Sequence, residues 1–141
     1  MRLRRAAVII PVVKGIICAV IGGSALASSF IFTGPNADLW PVALFLFSLP
    51  WLLAAAAYWI AAFLLARTLV VWRVPGALLD GLVSAAFAVA LVVEGWVQTQ
   101  EPPFTLGIWP FGISIAIAAL WIGGLVPVLI GAFRPPRSTP I

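Results

Sequence analysis

Hydrophobic and polar positions fall in long blocks along this chain. Four apolar blocks, at about residues 7–32, 40–66, 76–97 and 108–133, are separated by short polar or turn-rich stretches. A helix needs roughly 20 apolar residues to cross a bilayer, and each block is that long. Backbone groups in lipid must pair within their own segment, so the blocks are read as helices. The connectors are "TGPNAD" (Thr33 to Asp38), "RTLVVWRVP" (Arg67 to Pro75) and "QTQEPPFTLG" (Gln98 to Gly107). The first is a break sequence; part of the second is expected to extend the second helix. Short connections make neighbouring helices antiparallel. The fold class expected is therefore all-α. Residues 1–141 form one integral membrane bundle of four transmembrane helices, ending in a short Pro/Arg tail at 134–141.

Charge orients the bundle. Arg2, Arg4 and Arg5 precede the first block, Arg67 and Arg73 lie between the second and third, and Arg134 and Arg137 follow the fourth. With four spans these places share one side, and the other two connectors hold no Lys or Arg. The positive-inside rule makes both termini cytoplasmic. Asp38 and Glu101 fall on the opposite side, and Glu94 near that end of the third span. "SALASS" holds an Ala25-Leu26-Ala27 site of the kind signal peptidases cut. Lys14 interrupts the apolar core such a signal needs, so the segment is expected to remain the first span.

Composition agrees: 64% of the residues are hydrophobic and 9% charged, too few polar groups to clothe a soluble domain. There is no histidine, and Cys18 is the single cysteine. His-ligated haem, His/Cys zinc sites, an intrachain disulfide and a His-based triad are excluded. No cofactor, no metal and no nucleic-acid partner are expected; the net charge of +4 reads as anchoring to anionic lipid. Seven arginines against one lysine is the usage of a GC-rich bacterial genome. The localisation expected is a bacterial plasma membrane.

Packing faces follow from small residues. Gly15, Ala19, Gly23 and Ala27 recur every fourth residue in the first span and are read as its helix-packing ridge. Ala119, Gly123, Pro127 and Gly131 do the same in the fourth. Pro11, Pro50 and Pro127 interrupt apolar runs and favour kinks. Trp40, Trp96, Trp109 and Trp72 fall at span ends, as an aromatic belt does. Trp51 and Trp121 lie about 17 Å further in, where they pack between helices or line a mid-membrane pocket. "LWPVALFLFSLPW" and "IWPFGISIAIAALW" both open on Trp-Pro and reach a second Trp near mid-span. This pattern suggests a duplicated helical hairpin with an axis along the membrane normal.

Asp80, Ser84, Glu94 and Gln98 fall within about 40° of one direction on the third helix and form its candidate polar face. Asp80 is placed near the cytoplasmic end, where Arg67, Arg73 or Lys14 would pair with it. Asp80 and Glu94 are about 21 Å apart along the helix, too far to share a reaction centre, so no enzyme is expected. The leading expectation is a non-catalytic accessory or assembly subunit of a larger membrane complex. Its small-residue helix faces would bind a partner protein or a second copy. The alternative is a small oligomeric transporter or exporter using Glu94 as a proton- or cation-binding carboxylate. Four short spans with one membrane acid resemble the small multidrug-resistance exporters in architecture only. That family carries its key Glu in the first span, which has none here, and its dual-topology members lack so strong a charge bias.

Overall fold

The computed structural model describes residues 2–31, 39–100 and 109–133. These residues form five helices: α1 (Arg2–Ile31), α2 (Trp40–Ala66), α3 (Val70–Gln100), α4 (Trp109–Gly123) and α5 (Leu125–Phe133). Four stretches are long and apolar enough to cross a membrane: Arg5–Ile31, Pro41–Ala66, Val70–Val97 and Phe111–Phe133. Only 11–33% of each hydrophobic window is buried inside the chain. Most of the apolar side chains therefore point outward, which is stable only in surroundings as apolar as they are. The expected 134–141 tail and the connections at 32–38 and 101–108 lie outside the described residues.

Glycine contacts fix the helix directions. A Cβ on Gly15 would meet Trp59 and the Ala55 carbonyl, and one on Gly22 would meet Trp51 and Leu52. Numbers rise on α1 as they fall on α2, so the pair is antiparallel. Gly76 approaches Leu64 and Leu65 of α2, and Gly95 approaches Phe111 and Ser114 of α4. α5 returns against α1 and closes the bundle.

Two boundaries differ from the sequence reading. The third helix begins at Val70, not near residue 76, so "VVW" extends α3 rather than α2. Arg67 takes an extended conformation (φ −65°, ψ 152°) that ends α2, and buried Arg73 reaches back to donate to the Thr68 carbonyl at 3.1 Å. The fourth span is broken at Gly124 between α4 and α5. Pro127 has no N–H to offer the Gly123 carbonyl, and the ladder fails there. α1 and α2 continue past Pro11 and Pro50 without such a break.

The ridge expected at Gly15, Ala19, Gly23 and Ala27 is corrected within the chain. The buried line on α1 is Pro11, Gly15, Cys18, Gly22, Ala25 and Ser29, a repeat of four and three. Steps of four alone drift about 40° each round a helix. Gly15 is therefore tightly packed and Ala19 half-buried, while a Cβ on Gly23 would meet nothing and Ala27 is exposed. In the fourth span Ala119 and Gly123 are exposed and Gly131 is buried.

Candidate functional site

Lys14, Tyr58, Asp80, Ser84 and Trp121 meet in the middle of the bundle, and together they draw on α1, α2, α3 and α4. Lys14 and Ser84 lie within about 4 Å of the midpoints of α1 and α3 by the helical rise. Asp80 and Tyr58 lie about 8 Å from their helix midpoints, toward the α2–α3 connection. Lys14, Asp80, Ser84 and Tyr58 are buried.

The connections are specific. Lys14 Nζ donates to Ser84 Oγ at 2.8 Å and stands 3.3 and 3.4 Å from the two Asp80 carboxylate oxygens. Tyr58 Oη and Ser84 Oγ share a hydrogen bond of 3.1 Å. Trp121 Nε1 donates to Tyr58 Oη at 2.7 Å. The ammonium also lies 5.4 Å from the Tyr58 ring centroid and 6.0 Å from that of Trp121, within cation–π reach. A charge in an apolar interior must be paired and hydrogen-bonded, and this network meets that condition for both ions.

Apolar cores seal the network on two sides. Cys18, Ala54, Ala55 and Tyr58 form one, with Trp51, Phe87 and Trp121 packed against it. Leu65, Ala77, Val128 and Ala132 form the other. Phe87 sits between the two tryptophans, with ring centroids 4.8 Å from Trp51 and 6.1 Å from Trp121. Phe87 thus lies between Trp51 and Trp121, all three pack between helices, and Trp121 also lines a groove beside α1.

The candidate polar face of α3 divides. Asp80 and Ser84 enter the network, whereas Glu94 is exposed. Relative to Ser84, Glu94 lies about 80° round the helix and Gly95 about 20°, so Gly95 takes the buried position. Gln98 belongs to α3, but its side chain lies outside the described residues. Asp80 also stands further from the start of its helix than expected, because α3 begins at Val70. Of the three basic partners considered for it, Lys14 is the one it meets.

Tyr58 was missed by the sequence reading. A lone tyrosine in "AAAAYW" of α2 was the available signal: a phenol flanked by alanines in an apolar run needs a partner for its hydroxyl. Among the described residues no group of three His, Cys, Asp or Glu side chains is placed to hold a metal ion. The network's own chemistry is charge pairing and hydrogen bonding. No protein-family model matches the chain, and neither a curated protein nor a solved structure matches it.

Proposed function

We propose that this chain is a non-catalytic accessory or assembly subunit of a larger complex in a bacterial plasma membrane, with both termini cytoplasmic. The observation carrying this reading is that the central charges close on one another and tie all four spans together. Such a network holds a bundle in one register and leaves the outer faces for partners. The interior beside the network, near the helix midpoints, supports a scaffold over a conductor. It is filled by Cys18, Ala54, Ala55, Trp51 and Phe87. Ser29 and Ser48 spend their hydroxyls on carbonyls of their own helices.

The two halves are read as a duplicated hairpin. Burial recurs at an offset of 70 residues, in the pairs Ala7/Ala77, Cys18/Ala88, Ser48/Ala118, Tyr58/Val128 and Ala62/Ala132. Trp51 and Trp121 are partly buried at the same offset. Lys14 and Ser84, also so related, touch each other, as equivalent residues beside a two-fold axis would.

The test is purification of the tagged full chain in mild detergent. A second chain in fixed stoichiometry is the expected result. A chain that elutes alone and dissipates a pH gradient in proteoliposomes, with the flux abolished by Glu94→Gln, would establish the transporter reading instead. Orientation is tested separately in a Cys18→Ala background. Cysteines at Asn36 and Thr99 should react with an impermeant thiol reagent from outside, and one at Ser138 should not; the opposite pattern overturns the orientation.

A further inference from the structure

A groove of about 420 Å³ opens between α1 and α4 and reaches the network from the side. Ile9, Val13 and Ile17 of α1 and Ile117 and Leu120 of α4 form its walls, and Lys14, Trp121 and Gly124 line it. Those five wall residues are exposed, so the groove faces whatever surrounds the bundle. Its size falls in the range of roughly 300–1,000 Å³ typical of small-molecule sites, which combine apolar walls with a few placed polar groups.

The geometry points to a site for a neutral molecule with an apolar chain and a flat carbonyl-bearing head, of the quinone type, entering from the bilayer. Three features select that chemistry. First, the Lys14 ammonium has three N–H donors. Ser84 takes one at 2.8 Å. The two Asp80 oxygens, at 3.3 and 3.4 Å, belong to one carboxylate and form a fork that a single N–H can serve. Both distances exceed the roughly 2.7–2.9 Å usual for N⁺–H···O⁻ bonds. An acceptor coming from the groove, which Lys14 lines, therefore competes with a two-oxygen fork for one ammonium N–H. Second, Lys14 and Asp80 already sum to zero charge. An anionic head would leave a net charge in an apolar interior, which is costly, and a carbonyl adds none. Third, Trp121, its N–H engaged by Tyr58, lines the groove and gives a flat head an aromatic neighbour. Gly124, where the helix breaks, leaves that wall without a side chain. This site goes beyond the accessory role and stands whether or not a partner protein is found.

The experiment uses the full chain in phosphatidylcholine nanodiscs, with decylbenzoquinone as probe and quenching of tryptophan fluorescence as readout. Wild type should show a saturable phase on top of linear partitioning. Val13→Phe, which fills the groove away from the network, should weaken the saturable phase about tenfold or more, equivalent to at least ~1.4 kcal/mol. Competition in wild type needs no variant. Dodecylbenzene, lacking carbonyls, and dodecanoate, carrying an anionic head, should each displace the quinone about tenfold less well than a second quinone does. The proposal is overturned by purely linear quenching, by a saturable phase indifferent to Val13→Phe, or by equal displacement by either competitor. Equal displacement by dodecylbenzene would make the groove a slot for any apolar chain; equal displacement by dodecanoate would make it a carboxylate site.

Discussion

At the scale of single residues, Lys14 is the side chain on which the interior depends. Removing one partner of a buried ion pair strands the other charge, at a cost of about 3–5 kcal/mol, whereas replacing both by apolar residues of similar size is often neutral or stabilising. Asp80→Asn should therefore lower detergent-solubilised stability by about that amount. The double variant Lys14→Met/Asp80→Leu should return to within about 1 kcal/mol of wild type or exceed it. Thermal unfolding of the three proteins checks this, and a double variant as damaged as Asp80→Asn would refute it. Glycines on α1 give a second contrast. A Cβ on Gly22 would stand 3.0 Å from Leu52 and Trp51, and one on Gly23 would meet nothing. Gly22→Leu should cost about 1–3 kcal/mol through overpacking, and Gly23→Leu should fall within roughly 0.5 kcal/mol of wild type, as substitutions at unpacked positions do. The opposite ranking would place the contact face of α1 elsewhere.

At the scale of elements, the break between α4 and α5 is a backbone effect with one main cause. Pro127 withholds a donor from Gly123, and two glycines in succession, Gly123 and Gly124, make the local helix easy to open. Pro127→Ala restores the missing N–H. Amide hydrogen exchange at Leu125 and Val126 should then slow, whereas Gly124, already bonded to the Leu120 carbonyl at 3.2 Å, should change little; unchanged exchange at Leu125 and Val126 would mean that tertiary contacts set the break instead. The apolar blocks predicted four helices because length and composition alone decide whether a segment suits a bilayer. Helix ends were less legible. At the start of α3 Arg73 folds back onto the Thr68 carbonyl, a contact that hydropathy does not encode. The face of α1 that packs within the chain is turned from the small-residue ridge for a related reason. Small residues at every fourth position are visible in a sequence, but the line buried against a neighbour follows the alternation of four and three that two antiparallel helices share. Glycine spacing therefore identified a helix with a packing face, and the glycines of α1 that pack within the chain are Gly15 and Gly22.

At the scale of the whole molecule, the polar network links the two hairpins to each other. Lys14 to Asp80, Lys14 to Ser84, Tyr58 to Ser84 and Trp121 to Tyr58 all run from the α1–α2 half to the α3–α5 half. The α1–α2 pair meets through close approach at Gly15 and Gly22, and the α3–α4 pair through Gly95. The sequence indicated that Asp80 needs a cation and offered Arg67, Arg73 and Lys14. Choosing among them required the register of α1 against α3, helices that do not adjoin in sequence, and no local pattern carries that register. Small-residue packing should suffice to form each hairpin, while the ion pair should govern their docking. The covalent link between them is short, from Arg67 to Leu69, and these residues are exposed. Co-expressed fragments 1–68 and 69–141 should therefore insert separately and associate, with the tagged first fragment recovering the second from mild detergent. Asp80→Asn in the second fragment should reduce that recovery about tenfold or more, since even half of the ~3–5 kcal/mol cost of a stranded charge exceeds the ~1.4 kcal/mol that a factor of ten represents. Adding Lys14→Met to the first fragment should restore much of the recovery, because no unpaired charge is then buried. Equal recovery with and without Asp80→Asn would show that apolar packing alone joins the halves.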